Sequence, residues 1–126
     1  MQYIGKLDIE KIGNYKKYLI TDEVILTDER LEHILIYHKT EYEQFRLYIK
    51  EIIESPDFII EDNRHDDTMI YLKCIENIEK KCRIVVKLAL GQDEEHSKNS
   101  IITLMKLNDR TWNQTINNRG KIIWKK

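Results

Sequence analysis

The spacing of hydrophobic residues changes near the middle of the chain. From Thr27 to Ser55 they recur at intervals of three and four residues, which is typical of amphipathic helices. After Pro56 they alternate with polar residues and are rich in β-branched side chains, which is typical of strands. Helices followed by consecutive strands predict an α+β fold, with a helical layer from the first half packed on an antiparallel sheet from the second half.

Two helices are predicted from their start signals. Thr27 stands at an N-cap position and two carboxylates follow in the first turn, so the first helix is expected over residues 28–38. The run Thr40–Glu43 matches a capping box, in which a hydroxyl and a carboxylate satisfy backbone N–H groups reciprocally. A second helix of about fourteen residues is therefore expected, ended by Ser55-Pro56.

Four segments alternate as strands do, and the polar turns between them predict an antiparallel meander. They are residues 57–62, 68–76, 82–90 and 100–107. The flanking segments are shorter. Residues 2–20 predict one or two short strands, or a strand and a turn. A short helix is expected near Asn108, and residues 121–124 predict a last strand after Gly120.

Length and composition predict one intracellular domain over residues 1–126. The N-terminus lacks the pattern of a secretion signal, and no apolar run approaches the roughly 18 residues that cross a bilayer. The net charge of −1 hides an asymmetry: residues 1–96 carry 14 Lys and Arg against 21 Asp and Glu, whereas residues 97–126 carry 7 against Asp109 alone. That last segment forms either a basic binding surface or an ordinary solvated face.

Neither the cysteines nor the acidic run between the first two predicted strands indicates a metal site. Cys74 and Cys82 lack CxxC spacing and a nearby histidine, so they predict reduced buried thiols or a hairpin disulfide. Residues 62–67 contain several metal-binding residue types, but their position between two strands favours a polar hairpin turn. His96 is expected in an exposed loop. No cofactor-binding or hydrolase motif is present, so no cofactor is expected.

The first predicted helix carries side chains suited to RNA cleavage. At about 100° per residue, Arg30, His33 and Tyr37 fall on one narrow arc, and His38 lies on the apolar arc. Metal-independent cleavage needs a base for the 2′-hydroxyl, an acid for the leaving oxygen and a cation for the phosphorane, and the trio could supply all three. A solvent-exposed trio of this kind is also ordinary, and a histidine at the position of His38 more often caps its helix.

Two strand residues are further candidates. Lys87 interrupts an apolar run, and alternation places it on the face of Val85. It points either into a shallow cleft or to solvent with its stem on the sheet. Thr103 lies in the next predicted strand, where a β-former is the default.

Two stretches of sequence carry a family resemblance. They are ILTDERLEHILIYHKTEYEQFRLYIKEIIESPDFIIED and, after a strand series, NSIITLMKL. Together they resemble the phage-associated branch of the Barnase/EndoU/colicin/RelE-like (BECR) nuclease superfamily over about residues 24–107, which leaves a basic C-terminal segment at 108–126. The resemblance implies N-terminal helices on a curved antiparallel sheet of about four strands, and metal-independent RNA cleavage to a 2′,3′-cyclic phosphate.

The resemblance also implies a role for each matching position. The family's helix-borne histidines correspond to His33 and His38, its preceding basic residue to Arg30, its strand lysine to Lys87 and its late-strand hydroxyl to Thr103. In the resulting hypothesis the histidines exchange protons, the cations hold the scissile phosphate, and Thr103 and Tyr37 orient it.

The basic C-terminal segment adds candidate RNA-binding residues. Arg110, Arg119 and Lys121 would attract the phosphate backbone. Trp112 and Trp124 are interleaved with them, and either stack on bases or pack in the core.

The leading hypothesis is therefore a toxin-type endoribonuclease in the cytoplasm of a bacterial host. It would act on RNA, with tRNA as the candidate target, and have a cognate immunity protein or a host protein as a further partner. The net charge of −1 is low for an RNA-directed toxin. It leaves open a non-catalytic, phage-encoded protein-binding module on a nuclease-like fold. A small acidic α+β chain is also ordinary for an antitoxin or immunity protein. No membrane partner is expected.

Overall fold

Seven strands form one mixed sheet in the computed structural model, which describes residues 1–94 and 97–126. In chain order they are β1 (Gln2–Lys6), β2 (Glu23–Leu26), β3 (Phe58–Asp62), β4 (Thr68–Ile75), β5 (Lys80–Lys87), β6 (Asn99–Leu107) and β7 (Gly120–Lys125). The helices are α1 (Asp28–Tyr37), α2 (Lys39–Phe45), α3 (Ile49–Glu54) and α4 (Asp109–Asn118), with 3₁₀ turns at Ile9–Lys11, Gly13–Tyr18 and Glu76–Ile78. The spatial order of the strands is β1-β2-β6-β5-β4-β3-β7.

The expectation of N-terminal helices on an antiparallel sheet of about four strands is wrong. The four predicted strands exist as β3 to β6 and pair in antiparallel order, but the sheet extends beyond them on both sides. On one side the N-terminal strands β1 and β2 extend the sheet, and β2 pairs with β6 in parallel. On the other side β7 pairs with β3. These short strands depend on neighbours distant in sequence, so local alternation shows them only weakly.

The two faces of the sheet are covered by different helices. The first face carries the larger core, to which the sheet contributes Met69, Tyr71, Ile84, Val86 and Ile101, and α1 to α3 contribute Ile34, Phe45, Ile49, Ile52 and Ile53. The second face carries a smaller core, in which Ile70, Leu72 and Val85 pack with Trp112 and Ile116 of α4. Each large side chain buried in this way contributes about 1.5 to 3 kcal/mol. The helices therefore lie on both faces, and one of them follows the strands that it covers.

The first helix begins as predicted, but the second does not. The Thr27 hydroxyl caps α1 by accepting a hydrogen bond from the Arg30 N–H at 3.2 Å. His38 then ends α1 and at once starts α2, because its carbonyl oxygen accepts from the Tyr42 N–H at 2.9 Å. Thr40 consequently lies inside a helix and caps nothing. The predicted single helix is instead two short ones, α2 and α3, and the second of these ends before Pro56 as expected.

A buried asparagine ties the N-terminal strands to the rest of the sheet. Asn99, at the start of β6, is 0% exposed. Its Nδ2 donates to the carbonyl oxygens of Thr21 at 2.7 Å and Glu23 at 2.9 Å, and its Oδ1 accepts from the Ala89 N–H at 2.8 Å. The side chain thus joins three segments at the point where β2 meets β6 in parallel.

The two cysteines face opposite sides of the sheet. Cys82 lies in the core of the first face, whereas Cys74 is half-buried and pairs across the strands with Lys81, the neighbour of Cys82. Because paired residues share a face and successive residues alternate, the two thiols cannot bond to each other. Both are free, which rules out the hairpin disulfide. Burial raises the pKa of the Cys82 thiol.

The acidic run at residues 62–67 forms the turn between β3 and β4, as predicted. Within the described residues, no group of three or more His, Cys, Asp and Glu side chains is arranged to hold a metal ion. No helix in the described ranges is long and apolar enough to cross a bilayer. The expectation for His96 falls outside the described residues.

Replacing Asn99 with alanine should strongly destabilise the protein. The substitution leaves the buried Ala89 N–H and two partly buried carbonyl oxygens without their partner, which we expect to lower the free energy of unfolding by about 3 kcal/mol. Urea denaturation followed by circular dichroism measures the change. Asn117→Ala, at an exposed position of α4, is the matched control and should shift stability by no more than about 0.5 kcal/mol. Equal stability of the two variants would contradict the role given to Asn99.

In the native protein a thiol reagent should modify Cys74 and spare Cys82. The Cys82 sulfur is inaccessible and its raised pKa keeps it protonated, whereas thiol reagents attack thiolates. Reaction with Ellman's reagent, followed by mass spectrometry, should therefore give one modified cysteine in buffer and two in denaturant. Cys74→Ser should show no reaction until it is unfolded. Rapid modification of Cys82 in the native protein would contradict its burial.

Candidate active site

Part of the second face is left open by α4. The helix covers the region of Phe58, whose ring meets the ring of Trp112 edge-on at 5.8 Å. Beside it, strand pairing aligns three rows of residues, Thr68–Lys87–Ser100, Ile70–Val85–Thr103 and Leu72–Arg83–Met105. Residues paired across strands share a face, so the polar members of these rows point away from the larger core. Lys87 is exposed there, and Ser100 and Thr103 are half-buried.

A buried carboxylate lies at the border of this open area. Asp62, the last residue of β3, is 3% exposed. Its Oδ1 accepts a hydrogen bond from the Arg64 backbone N–H at 3.0 Å and lies 3.7 Å from Nε of Arg119. The guanidinium of Arg83, on β5, is close enough for the charges of Asp62, Arg64 and Arg119 to act on it. Within the described residues the Asp62 carboxylate thus forms an ion pair with Arg119, and Arg83 lies within electrostatic range of Asp62, Arg64 and Arg119. We refer to these three arginines as the arginine group.

Two of these guanidinium groups have a buried N–H that no described atom accepts. The Nε atoms of Arg83 and Arg119 are buried and have no hydrogen-bond partner among the described residues. Burial lowers the pKa of Arg83, and the positive charge of Arg119 lowers it further, while Asp62 opposes both. A buried donor without an acceptor costs about 1 to 3 kcal/mol, so the fold holds these two guanidinium groups at a cost in stability.

Gly120 sets the position of Arg119. Gly120 pairs with Asp62 where β7 begins, and a Cβ built on it would lie 1.8 Å from the carbonyl oxygen of Glu61. Any other residue would therefore push β7 away from β3. Because Arg119 immediately precedes this glycine, the close approach of the two strands holds its guanidinium beside Asp62.

The predicted helix residues do not join the strand residues in one group. α1 packs on the first face through Ile34, whereas Lys87 and Thr103 lie on the second. His33 and Tyr37 are exposed and contact each other, with ring centroids 4.7 Å apart. Within the described ranges no hydrogen bond or ion pair links His33 to the second face. The catalytic roles of Arg30, His33 and Tyr37 stay predictions.

His38 and Glu41 together protect the free side of β6. Nδ1 of His38 lies 3.0 Å from Oε1 of Glu41, whose Oε2 accepts a hydrogen bond from the Lys106 N–H at 2.6 Å. A strand N–H without a partner could otherwise pair with a strand of another molecule. This contact gives His38 a structural function, and its predicted catalytic role stays a prediction.

The predicted RNA-binding residues are spread along α4 and β7. Arg119 lies in the arginine group around Asp62, whereas Arg110 and Lys121 are exposed elsewhere on these elements. Both tryptophans pack against core residues: Trp112 in the second-face core and Trp124 against the first. Nζ of Lys11 also lies 4.4 Å from the centre of a Trp124 ring.

Sequence reasoning missed Asp62, Arg64 and Arg83 as site residues. A signal existed for Arg83, because it stands four residues before Lys87 in the same apolar strand and alternation puts both on one face. Nothing local distinguishes Asp62 or Arg64 from ordinary turn residues, since their partners come from β5 and from the end of α4.

Comparison with known proteins identifies a nuclease family. The family model described as phage-Barnase-EndoU-ColicinE5/D-RelE like nuclease2 matches residues 3–125, nearly the whole chain. The match extends beyond the stretch that carries the sequence resemblance and includes β1, α4 and β7. No curated protein and no solved structure matches the chain.

Removing the charge of Asp62 should destabilise the protein. Asp62→Asn keeps the hydrogen-bond acceptor but leaves the partly buried arginines without their counter-charge, so we expect the free energy of unfolding to fall by about 2 kcal/mol. Urea denaturation in chloride buffer measures the change. Glu43→Gln, at an exposed position of α2, should leave stability unchanged. A fully stable Asp62→Asn variant would show that the arginines do not need this carboxylate.

Proposed function

The chain belongs to this family of nuclease-like domains, and from that premise we propose that it is a metal-independent endoribonuclease of toxin type. Its scissile phosphate binds on the second face of the sheet. The single observation that carries the proposal is the pair of arginines, Arg83 and Arg119, whose buried Nε–H groups have no hydrogen-bond acceptor among the described residues, near the face that carries Lys87 and Thr103. Guanidinium groups bind phosphate oxygens through several donors, so this surface suits a phosphodiester.

The charge balance of the site supports this reading. Arg64, Arg83 and Arg119 bring three positive charges to the neighbourhood of Asp62, and Lys87 adds a fourth beside Asp67. A phosphodiester gains negative charge as the 2′-oxygen attacks and the phosphorane forms, so fixed guanidinium groups stabilise the transition state more than the ground state. Because Arg83 and Arg119 are already held by the fold, little reorganisation of these two side chains is needed when that charge develops.

Lys87 and Thr103 extend the site along the sheet. Lys87 is 53% exposed at its side chain and its Nζ lies 3.9 Å from Asp67 Oδ2, so it is available to a neighbouring phosphate. The hydroxyls of Ser100 and Thr103 lie on the same face as Lys87. Ser100 pairs with Lys87 across the strands, and Thr103 pairs with Val85. In the proposal Lys87 holds the RNA backbone and Thr103 orients the scissile phosphate.

We assign proton exchange to His65. It lies in the β3–β4 turn directly after Arg64, and its backbone N–H donates to the Asp62 carbonyl oxygen at 3.4 Å. Of the histidines that the structure describes, it is the one that the sequence places beside the arginine group. Histidine accepts and donates protons near neutral pH, as the two steps of 2′-hydroxyl attack require. If His33 exchanged the protons instead, replacing His33 would abolish cleavage and replacing His65 would not.

The expected substrate is a folded RNA of the bacterial host, with tRNA as the first to be tested. The phage association of the family supports a toxin acting in the host cytoplasm. Products would carry a 2′,3′-cyclic phosphate, because the nucleophile is the substrate's own 2′-oxygen.

The proposal is tested by incubating the purified protein with total RNA and with isolated tRNA in EDTA. We expect cleavage, with cyclic phosphate ends identified by mass spectrometry, and no cleavage of a DNA strand, which lacks the 2′-hydroxyl. Arg83→Gln and Arg119→Gln should each lower kcat/KM by about 100-fold or more, because each removes a donor to the developing charge. His65→Ala should lower it by about 100-fold.

Two matched variants make the result specific. Arg110→Gln removes an exposed arginine from the same C-terminal segment and should retain most of the activity. His33→Ala should also retain it, and inactivation by His33→Ala with full activity of His65→Ala would move the site to α1. No cleavage of any RNA, in protein shown to be folded, would refute the nuclease proposal.

A further inference from the structure

α1 carries a second stripe of side chains beside the one that packs on the sheet. Its members recur at intervals of three and four residues, the spacing by which one helix packs on another. They are Asp28, Leu31, Glu32, Leu35, Ile36 and Lys39, and all six line one shallow groove of about 490 Å³. At about 100° per residue the five on α1 fall within an arc of about 140°, and Ile34, which packs in the core, lies outside it. We refer to these six residues as the α1 stripe.

The α1 stripe exposes large apolar side chains. Ile36 is 66% exposed and Leu35 is also exposed, while Leu31 packs against the core at the border of the stripe. Met1 adds an exposed apolar side chain at the Asp28 end, because its amino group lies 2.6 Å from Oδ1 of Asp28. Contiguous apolar side chains on the surface of a small domain mark a site of interaction with another molecule.

The charged residues of the α1 stripe lie toward its two ends and have opposite signs. Asp28 and Glu32 are negative and lie toward the N-terminal end, whereas Lys39 is positive and lies at the other end. Within the described ranges, the side chains of Glu32 and Lys39 make no hydrogen bond or ion pair. The Asp28 side chain stays exposed although Oδ1 binds the Met1 amino group, so its other oxygen can accept from a further cation.

The α1 stripe is complementary to itself when a second copy of the helix runs antiparallel to it. Packing about a twofold axis brings together residues that lie equally far before and after the centre of the contact. With the centre between residues 33 and 34, Asp28 meets Lys39 of the second copy, and Leu31 meets its Ile36. Symmetry repeats each of these contacts. Parallel helices would instead bring like charges together, which repel.

We propose that the α1 stripe is a homodimer interface, in which α1 packs antiparallel on α1 of a second copy of this chain. The inference goes beyond the proposed nuclease function and does not depend on it. An unrelated helix would need an apolar centre, a cation opposite Asp28 and an anion opposite Lys39. A second copy supplies all of these in the required order.

The size of the contact sets the strength of the dimer. α1 has ten residues and is about 15 Å long, so two copies of it bury less than the roughly 1,200 Å² of a standard interface. We therefore expect a weak, reversible dimer. The second face of each copy stays uncovered, because α1 lies on the first face.

Analytical ultracentrifugation over a series of protein concentrations tests the proposal. We expect a monomer–dimer equilibrium with a dissociation constant on the order of 10 to 100 µM. Ile36→Glu should raise it about tenfold or more, because the substitution places a charge in the apolar centre of the contact twice. Leu47→Glu is the matched control, since Leu47 is exposed and apolar but lies outside the stripe, and it should change nothing. A monomer at about 1 mM, or a dimer that survives Ile36→Glu, would overturn the proposal.

A charge exchange tests the antiparallel arrangement. Asp28→Lys and Lys39→Glu should each raise the dissociation constant about tenfold, because each replaces two attractive contacts with two repulsive ones. An equal mixture of the two variants should associate about as tightly as the unmodified protein, since lysine at position 28 then meets glutamate at position 39, and Lys39 meets Asp28. Circular dichroism checks that both variants are folded. A mixture that associates no better than its components would contradict the arrangement.

Glu32 gives a prediction of the opposite sign. In the proposed dimer it lies about 4.5 Å along the helix axis from Glu32 of the second copy, so the two like charges weaken the contact. Glu32→Gln should therefore lower the dissociation constant about threefold. Glu29→Gln, an exposed carboxylate of α1 outside the stripe, is the control and should leave it unchanged. A dimer that Glu32→Gln weakens or leaves unchanged would place the twofold axis elsewhere and overturn the proposed pairing.

Discussion

The buried carboxylate of Asp62 requires positive charge beside it, and this requirement organises the open face of the sheet. Asp62 is almost entirely excluded from water, and a carboxylate in that position is tolerated only beside cations and hydrogen-bond donors. Arg119 is held there because Gly120 lets β7 approach β3 more closely than any side chain would allow. The same part of the structure brings together residues from the end of α4, the β3–β4 turn and β5, which are Arg119, Arg64 and Arg83. The proposed functional surface is thus a consequence of how α4 and β7 close the sheet.

The unequal covering of the two faces decides where chemistry is available. The first face is closed by α1 to α3 and holds the large apolar core, so it supplies stability. α4 closes only part of the second face, and the remainder presents Lys87, Thr103 and the arginine group in neighbouring rows. Strand side chains alternate between the faces, and for that reason one strand, β5, contributes Ile84 and Val86 to the core and Arg83 and Lys87 to the site.

The residues predicted from the sequence and the candidate site described from the structure differ for a geometrical reason. Arg30, His33 and Tyr37 do share an arc of α1, as helical spacing requires, and the ring contact between His33 and Tyr37 is real. Helical spacing does not determine which face of the sheet the helix covers, and α1 covers the first. Lys87 and Thr103 share a face with each other because strand alternation and antiparallel register place them there. The pattern within each element therefore predicted which residues share a face. It could not predict which elements lie close together in the folded chain.

Short-range rules account for what the sequence determined by itself. The N-cap of α1, the end of α3 before Pro56, the strands β3 to β6 and the turn at residues 62–67 depend on capping, proline geometry and two-residue alternation, and all act within a few residues. The family resemblance was also readable from the chain, and the family match confirms it. Only the tertiary structure decided the seven-stranded mixed sheet, the parallel contact of β2 with β6 through Asn99, and the ion pair of Asp62 with Arg119 near Arg83. These features join residues tens of positions apart, and no local preference encodes them. Their free energy comes from burial and charge pairing that exist only once the chain is folded.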